Sequence, residues 1–175
     1  MSIEDFVVRV LLDDLNDDVD AAAADADDDP SDAAKESGNY AKGHVKLHGF
    51  DIAIENAKGS TRSGKDKDGK EWSVTMPAHY GYIKGTKGKD KDHIDVYIGP
   101  DAESETVFVV NQQKQEGGFD EHKVMLGFSS QDEAVKTYDK AFNGDLGPKL
   151  RKSVKKASLE DFTDWLENGD PKKEF

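Results

Sequence analysis

From Gly43 onward the apolar residues fall into a period of two: Val45 and Leu47, then Ile52 and Ile54, with a break at Gly49. Alternation sends successive side chains to opposite faces of a pleated strand, so such runs must pack face-on against another layer. Trp72 to Thr75, Ile94 to Ile98, Thr106 to Val110 and Lys123 to Phe128 read the same way. Five or so short strands with glycine-rich turns predict an α+β fold on a small, strongly coiled antiparallel sheet or barrel, with nothing like a βαβ repeat. Two C-terminal helices follow. Ser130 with Glu133 forms a capping box ahead of Val135, Tyr138 and Phe142, stopping at Asn143-Gly144. Ser158 with Asp161 opens the second, which carries Leu159, Phe162, Trp165 and Leu166 and closes at Asn168-Gly169.

Charge divides the chain. Residues 1–40 hold 13 acids against Arg9 and Lys35 and so carry −11 of the net −13, leaving −2 for the other 135 residues. A nearly neutral body argues against a face for duplex nucleic acid, which needs a concentrated basic patch. Ile3, Phe6, Val7, Val10, Leu11 and Leu15 recur at helical spacing, predicting an acidic amphipathic helix that packs on the body or docks a partner through residues 3–19. Asp20 to Asn39 is Ala, Asp and Ser around Pro30 and reads as a flexible tether. The expected organisation is an N-terminal segment, 1–39, and one folded domain, 40–175. Lys149 to Lys156 forms a basic patch, read as solvated surface. The chain has no cysteine, no apolar run of membrane-spanning length and an acidic start, which together fit the cytoplasm.

Chemistry is concentrated between Tyr80 and Pro100, where Asp90, Asp92 and Asp95 form D-x-D-x-x-D ahead of the strand Ile94 to Ile98. Three carboxylates turned to one point repel one another unless a cation neutralises them, and a hard, oxygen-seeking ion such as Mg²⁺, or Mn²⁺, is the natural partner. The competing reading is a solvated Lys-Asp loop, and a second Gly-Lys-Asp-Lys-Asp copy at Gly64 to Asp68 supports it. Only the later copy runs into a strand that can hold Asp95 rigidly. Neither fits an EF-hand, and the five histidines lack the helical i, i+4 spacing of zinc proteases. Nucleophile-elbow, P-loop and dinucleotide fingerprints are absent.

Tyr80-Gly81-Tyr82-Ile83, followed by the three aspartates with Asp90 ten residues after Tyr80, resembles the signature of soluble family I inorganic pyrophosphatases. Thr75 to Ile83 and Phe119 to Met125 are similar to the pyrophosphatase-like domain carried by bacteriophages. His93 stands where the family usually has proline, and the family's upstream aspartate in the Gln112 to Gly118 loop has only Glu116 nearby. The resemblance implies an OB-like barrel that hydrolyses pyrophosphate with Mg²⁺. It implies metal binding by Asp90, Asp92 and Asp95, with Asp92 the general base, and by Glu121 with Asp120 its rival. It assigns substrate contacts to Tyr80 and Lys123 and, on weaker matches, to Arg62, Tyr138 and Lys140, with Glu55 a further functional acid. Another phosphoanhydride would use the same site, and a homo-oligomer is possible. The rival expectation is a non-catalytic module of a phage particle, virion-associated and docked to a structural protein through the acidic N-terminus.

Overall fold

The computed structural model describes the backbone of all 175 residues and the side chains of all but residues 8–14. Chain order is α1 (Ile3–Ala24), α2 (Asp32–Ser37), β1 (Gly43–Leu47), β2 (Phe50–Asn56), β3 (Thr61–Lys65), β4 (Glu71–Thr75), β5 (His79–Ile83), β6 (Ile94–Ile98), β7 (Thr106–Gln113) and β8 (Phe119–Leu126). It continues with α3 (Gln131–Lys140), α4 (Leu146–Leu150), β9 (Arg151–Ser158) and α5 (Leu159–Asn168). Seven strands form one sheet in the order β1-β2-β5-β6-β8-β7-β9, while β3 and β4 make a separate hairpin.

The α+β class holds, with two corrections to the barrel. The sheet stays open, since β1 and β9 are its two edges, and it is not wholly antiparallel, since β6 pairs β8 in parallel. The parallel pair follows from one connection: after β6 the chain crosses to β7, whose hairpin with β8 lays β8 alongside β6 in the same direction.

Period two then sorts the side chains. Val96, Val107, Val109, Val124 and Leu126 face one core with Ile52 and Ile54, covered by α1, α5 and the C-terminal residues. Tyr80, Tyr97, Phe108, Val110 and Met125 face the other, covered by α3 and the β3–β4 hairpin. That second face carries the polar residues of interest. Gly81 is required for the close pairing of β5 and β2, because a β-carbon there would run into the carbonyl of Ala53.

At the N-terminus, Ser2 and Asp5 cap α1 reciprocally. Ile3, Phe6 and Val7 lie exposed on its first turns, Val10 and Leu11 lie outside the described residues, and Leu15 packs against the core. The helix continues through Ala24, past the point where the sequence places a tether, with Val19, Ala22 and Ala23 buried. The physical reason is size. Ala22 packs directly over Gly43, where any side chain would collide with the Ala22 backbone. Asn16 accepts from the Ala102 N–H at 2.9 Å, and Asp20 meets His79 at 2.9 Å. Among the described residues no helix is long and apolar enough to cross a membrane.

His122, on the α5 side of β8, is 3 % exposed and packs between the Phe119 and Trp165 rings. Its Nε2–H donates to the Lys173 carbonyl at 2.9 Å, and Nδ1 is buried with no partner among the described residues. Burial pushes its pKa down to about 4, against the opposing hydrogen bond. Between that value and the ordinary one near 6.5, the unfolded chain binds a proton that the native state does not. Stability from this residue is therefore full above about pH 6.5 and lost as pH falls toward 4, by up to about 3 kcal/mol. Denaturant melts should show His122→Gln losing less stability than wild type over that interval; parallel pH profiles would contradict the assignment.

Candidate active site

Four adjacent strands deliver one cluster to the second face of the sheet. Tyr80 comes from β5, Asp95 from β6, Glu121 and Lys123 from β8, and Gln112 from β7. Register brings them together: Asp95 lies beside Lys123 across the parallel pair, and Gln112 opposite Glu121 across the hairpin. The Lys123 ammonium donates to Asp95 Oδ2 and, at 3.2 Å, to the Tyr80 hydroxyl, and forms an ion pair with Glu121 Oε1 at 3.0 Å. Tyr80 in turn donates to Asp95 Oδ2 at 2.8 Å. Lys123 is thus shared between the two carboxylates, and Arg62 is the second cation that Asp95 acts on.

Arg62 enters from β3. Its guanidinium lies 4.8 Å from the centre of the Tyr80 ring and 5.3 Å from that of Trp72, so two aromatic faces hold the cation. Together with Glu121, Tyr97, Trp72 and Phe142, these residues line a cavity of about 630 Å³ between the β3–β4 hairpin and the end of α3. Asn143 braces the cavity by donating to the Ser73 carbonyl at 3.1 Å.

Electrostatics keep the cations charged. Burial alone would lower the pKa values of Lys123 and Arg62, but Tyr80 and Asp95 act on both in the other direction, and both end above their ordinary values. Burial pushes the Tyr80 hydroxyl up, so it remains a donor at neutral pH. Glu121 is also raised, by burial first and against the pull of Lys123. Two charged cations therefore stand at the cavity, Lys123 already paired with Asp95 and Glu121, and Arg62 held over the Tyr80 and Trp72 rings with its guanidinium suited to phosphate oxygens.

The sequence-selected residues do not all converge. Tyr80, Arg62, Glu121 and Lys123 line the cavity. Asp90 and Asp92 are exposed on the β5–β6 loop, where the Asp92 N–H donates to Asp90 Oδ1 at 3.0 Å. The three aspartates therefore share a loop and a strand start without meeting at one point. Glu55 accepts from the Tyr40 hydroxyl at 2.8 Å and lines a smaller neighbouring cavity of about 200 Å³ with Arg62. Tyr138 is fully buried and donates to Gln112 Oε1 at 2.7 Å, which sets it behind the cavity wall. Lys140 is exposed near the end of α3. Sequence reading missed Tyr97, Trp72 and Gln112. For Gln112 the signal existed, since it continues the inward alternation Phe108, Val110 as a polar residue.

The family model described as Inorganic Pyrophosphatase matches residues 32–167. The chain belongs to the inorganic pyrophosphatase family. Among solved structures it is similar to an inorganic phosphatase of Anaplasma phagocytophilum, at 13% identity over 74% of this chain and 91% of that one, TM-score 0.35. It is also similar to an inorganic pyrophosphatase of Coxiella burnetii, at 16% identity over 72% and 91%, TM-score 0.36. No curated protein matches.

For a metal, the donor chemistry of this pyrophosphatase-family chain fits a hard cation: Asp90, Asp92, Asp95, Glu121 and Glu55 offer oxygens only, with no competing thiolate. Yet no three His, Asp or Glu side chains among the described residues converge. Lys123 bridges Asp95 and Glu121, and Asp90 is turned onto the Asp92 N–H.

Proposed function

We propose that the protein hydrolyses inorganic pyrophosphate to two phosphates, in a Mg²⁺-dependent reaction at the cavity floored by Tyr80, Arg62 and Lys123. The observation that carries the proposal is the convergence of a buried cation, Lys123, a half-buried one, Arg62, and a protonated phenol on one cavity, in a chain of this family. Pyrophosphate is a compact polyanion, and fixed donors that need no reorganisation are what its charged oxygens require. Arg62, held by its two aromatic neighbours, presents a planar fork suited to phosphate. Lys123 supplies a point charge, and the Tyr80 hydroxyl can donate to substrate once it exchanges its bond to Asp95.

Hydrolysis forms a bond from a water oxygen to one phosphorus and breaks the bridging P–O bond, and the second phosphate leaves with that electron pair. The water's proton must go to a base, and Asp92, an exposed carboxylate three residues before Asp95, is the group we assign. The carboxylates we assign to Mg²⁺ or Mn²⁺ are Asp90, Asp92, Asp95 and Glu121, with Glu55 a further one. Drawn together from the separate positions they hold here, they would let the ion offset the substrate's charge and sharpen the water as a nucleophile.

Purified protein should release two phosphates per pyrophosphate with Mg²⁺ and stop when a chelator is added. Turnover that a chelator leaves intact would contradict the metal dependence, and no release with any divalent cation would contradict the function.

A further inference from the structure

Gln112 is 6 % exposed, at a position where both neighbouring ladders slip: the β7–β8 register shifts between Gln112 and Gln113, and the β7–β9 register between Asn111 and Gln112. Every polar atom of its side chain is engaged. Nε2 donates to Asp120 Oδ2 and to Glu121 Oε1, both at 3.2 Å, and Oε1 accepts from Tyr138 at 2.7 Å.

We infer that Gln112 is a positioning residue, which holds the Asp120 and Glu121 carboxylates at a fixed spacing beside Lys123 and is itself fixed by the Tyr138 hydroxyl. Two adjacent carboxylates repel, and one amide nitrogen carrying two protons satisfies one oxygen of each. A flipped amide would set its oxygen against both acids. The phenol adds to this preference, since a flip would leave its own proton without the Gln112 acceptor. Asp120 and Glu121 are thereby a held pair, not alternatives. The Glu121 oxygen that Gln112 holds is the one Lys123 contacts, so the amide also sets where the ammonium stands. Partners that orient charged groups in this way typically matter by 10- to 100-fold in metal affinity or activity. The catalytic consequence rests on the pyrophosphate hydrolysis proposed above; the geometric role does not.

The test uses the full chain as wild type, Gln112→Leu and Tyr138→Phe. It reads kcat and KM for pyrophosphate and, separately, the Mg²⁺ concentration that gives half of the maximal rise in melting temperature without substrate. Gln112→Leu should lose about 10- to 100-fold in kcat, keep KM within about twofold, and need roughly tenfold more Mg²⁺ in the melts. Tyr138→Phe should show the same pattern at under about tenfold, since the amide keeps its acids but can turn. A folded Gln112→Leu with wild-type kcat and wild-type Mg²⁺ response would reduce Gln112 to core packing and overturn the inference. Should Gln112→Leu fail to fold, Tyr138→Phe decides, and wild-type behaviour there overturns it. If the wild type itself hydrolyses no pyrophosphate, the proposed function fails, and the Mg²⁺ melts still judge Gln112. A wild type without a Mg²⁺ response either would overturn both.

Discussion

Lys123→Met should be inactive toward pyrophosphate and less stable than wild type by about 2–4 kcal/mol at neutral pH. The side chain is 8% exposed, donates to Asp95 and Tyr80 and pairs with Glu121, whereas the two carboxylates keep 22% and 26% of their exposure. Removing the ammonium strands two acids, Asp95 opposite position 123 on β6 and Glu121 two residues before it on β8. Breaking a buried ion pair by deleting one partner costs more than the pair contributes, because the remaining charge stays desolvated. The partial exposure of the acids tempers the cost, which is why the figure falls below that for a fully buried pair. Methionine preserves the length and packing of the stem, so the loss reads charge and not volume.

The deficit should shrink as pH falls from 7 to 5, because Glu121, already raised by burial, takes up a proton more readily than an ordinary carboxylate. Turnover should fall by at least about 100-fold, the usual consequence of removing one preorganised stabilising group. Chemical denaturation at pH 7 and pH 5, alongside phosphate release, checks both parts. A stable and active Lys123→Met would mean that the ammonium neither neutralises the acids nor binds substrate.

Local signals reached the caps, the strands and much of the site. Ser130 and Ser158 accept from the Glu133 and Asp161 backbone N–H groups as their spacing predicts. Tyr80, Glu121 and Lys123 were legible because each sits in a short motif beside an apolar strand. Strand β9 was not, because it is an edge strand whose Lys152, Lys155 and Lys156 are exposed and whose one buried residue is Ala157, leaving no alternation to read. Strand β3, Thr61–Lys65, escaped for the same reason.

The convergence of the aspartates failed on a local competition: the Asp90 carboxylate is used by the Asp92 backbone N–H, a turn that two aspartates in a loop make by themselves. The Gln112–Tyr138 bond was hidden by a different cause. It joins a strand to a helix packed on its far side, and only the sheet order reveals that the two share a face.

Asp92→Asn is the substitution that isolates the chemistry. Position 92 holds its loop through the main chain alone, the carbonyl accepting from the Gly88 N–H at 2.7 Å and the N–H donating to Asp90 Oδ1 at 3.0 Å. Asparagine keeps both bonds and the side-chain shape. What disappears is the charge, and with it the capacity to take a proton from water. With pyrophosphate and Mg²⁺ supplied, wild type should release phosphate, and Asp92→Asn should do so about 100- to 10,000-fold more slowly at an unchanged melting temperature without metal. Equal phosphate release by the two proteins would contradict the assignment of Asp92 as the base, and with it the account of this chain as a pyrophosphatase working at this loop.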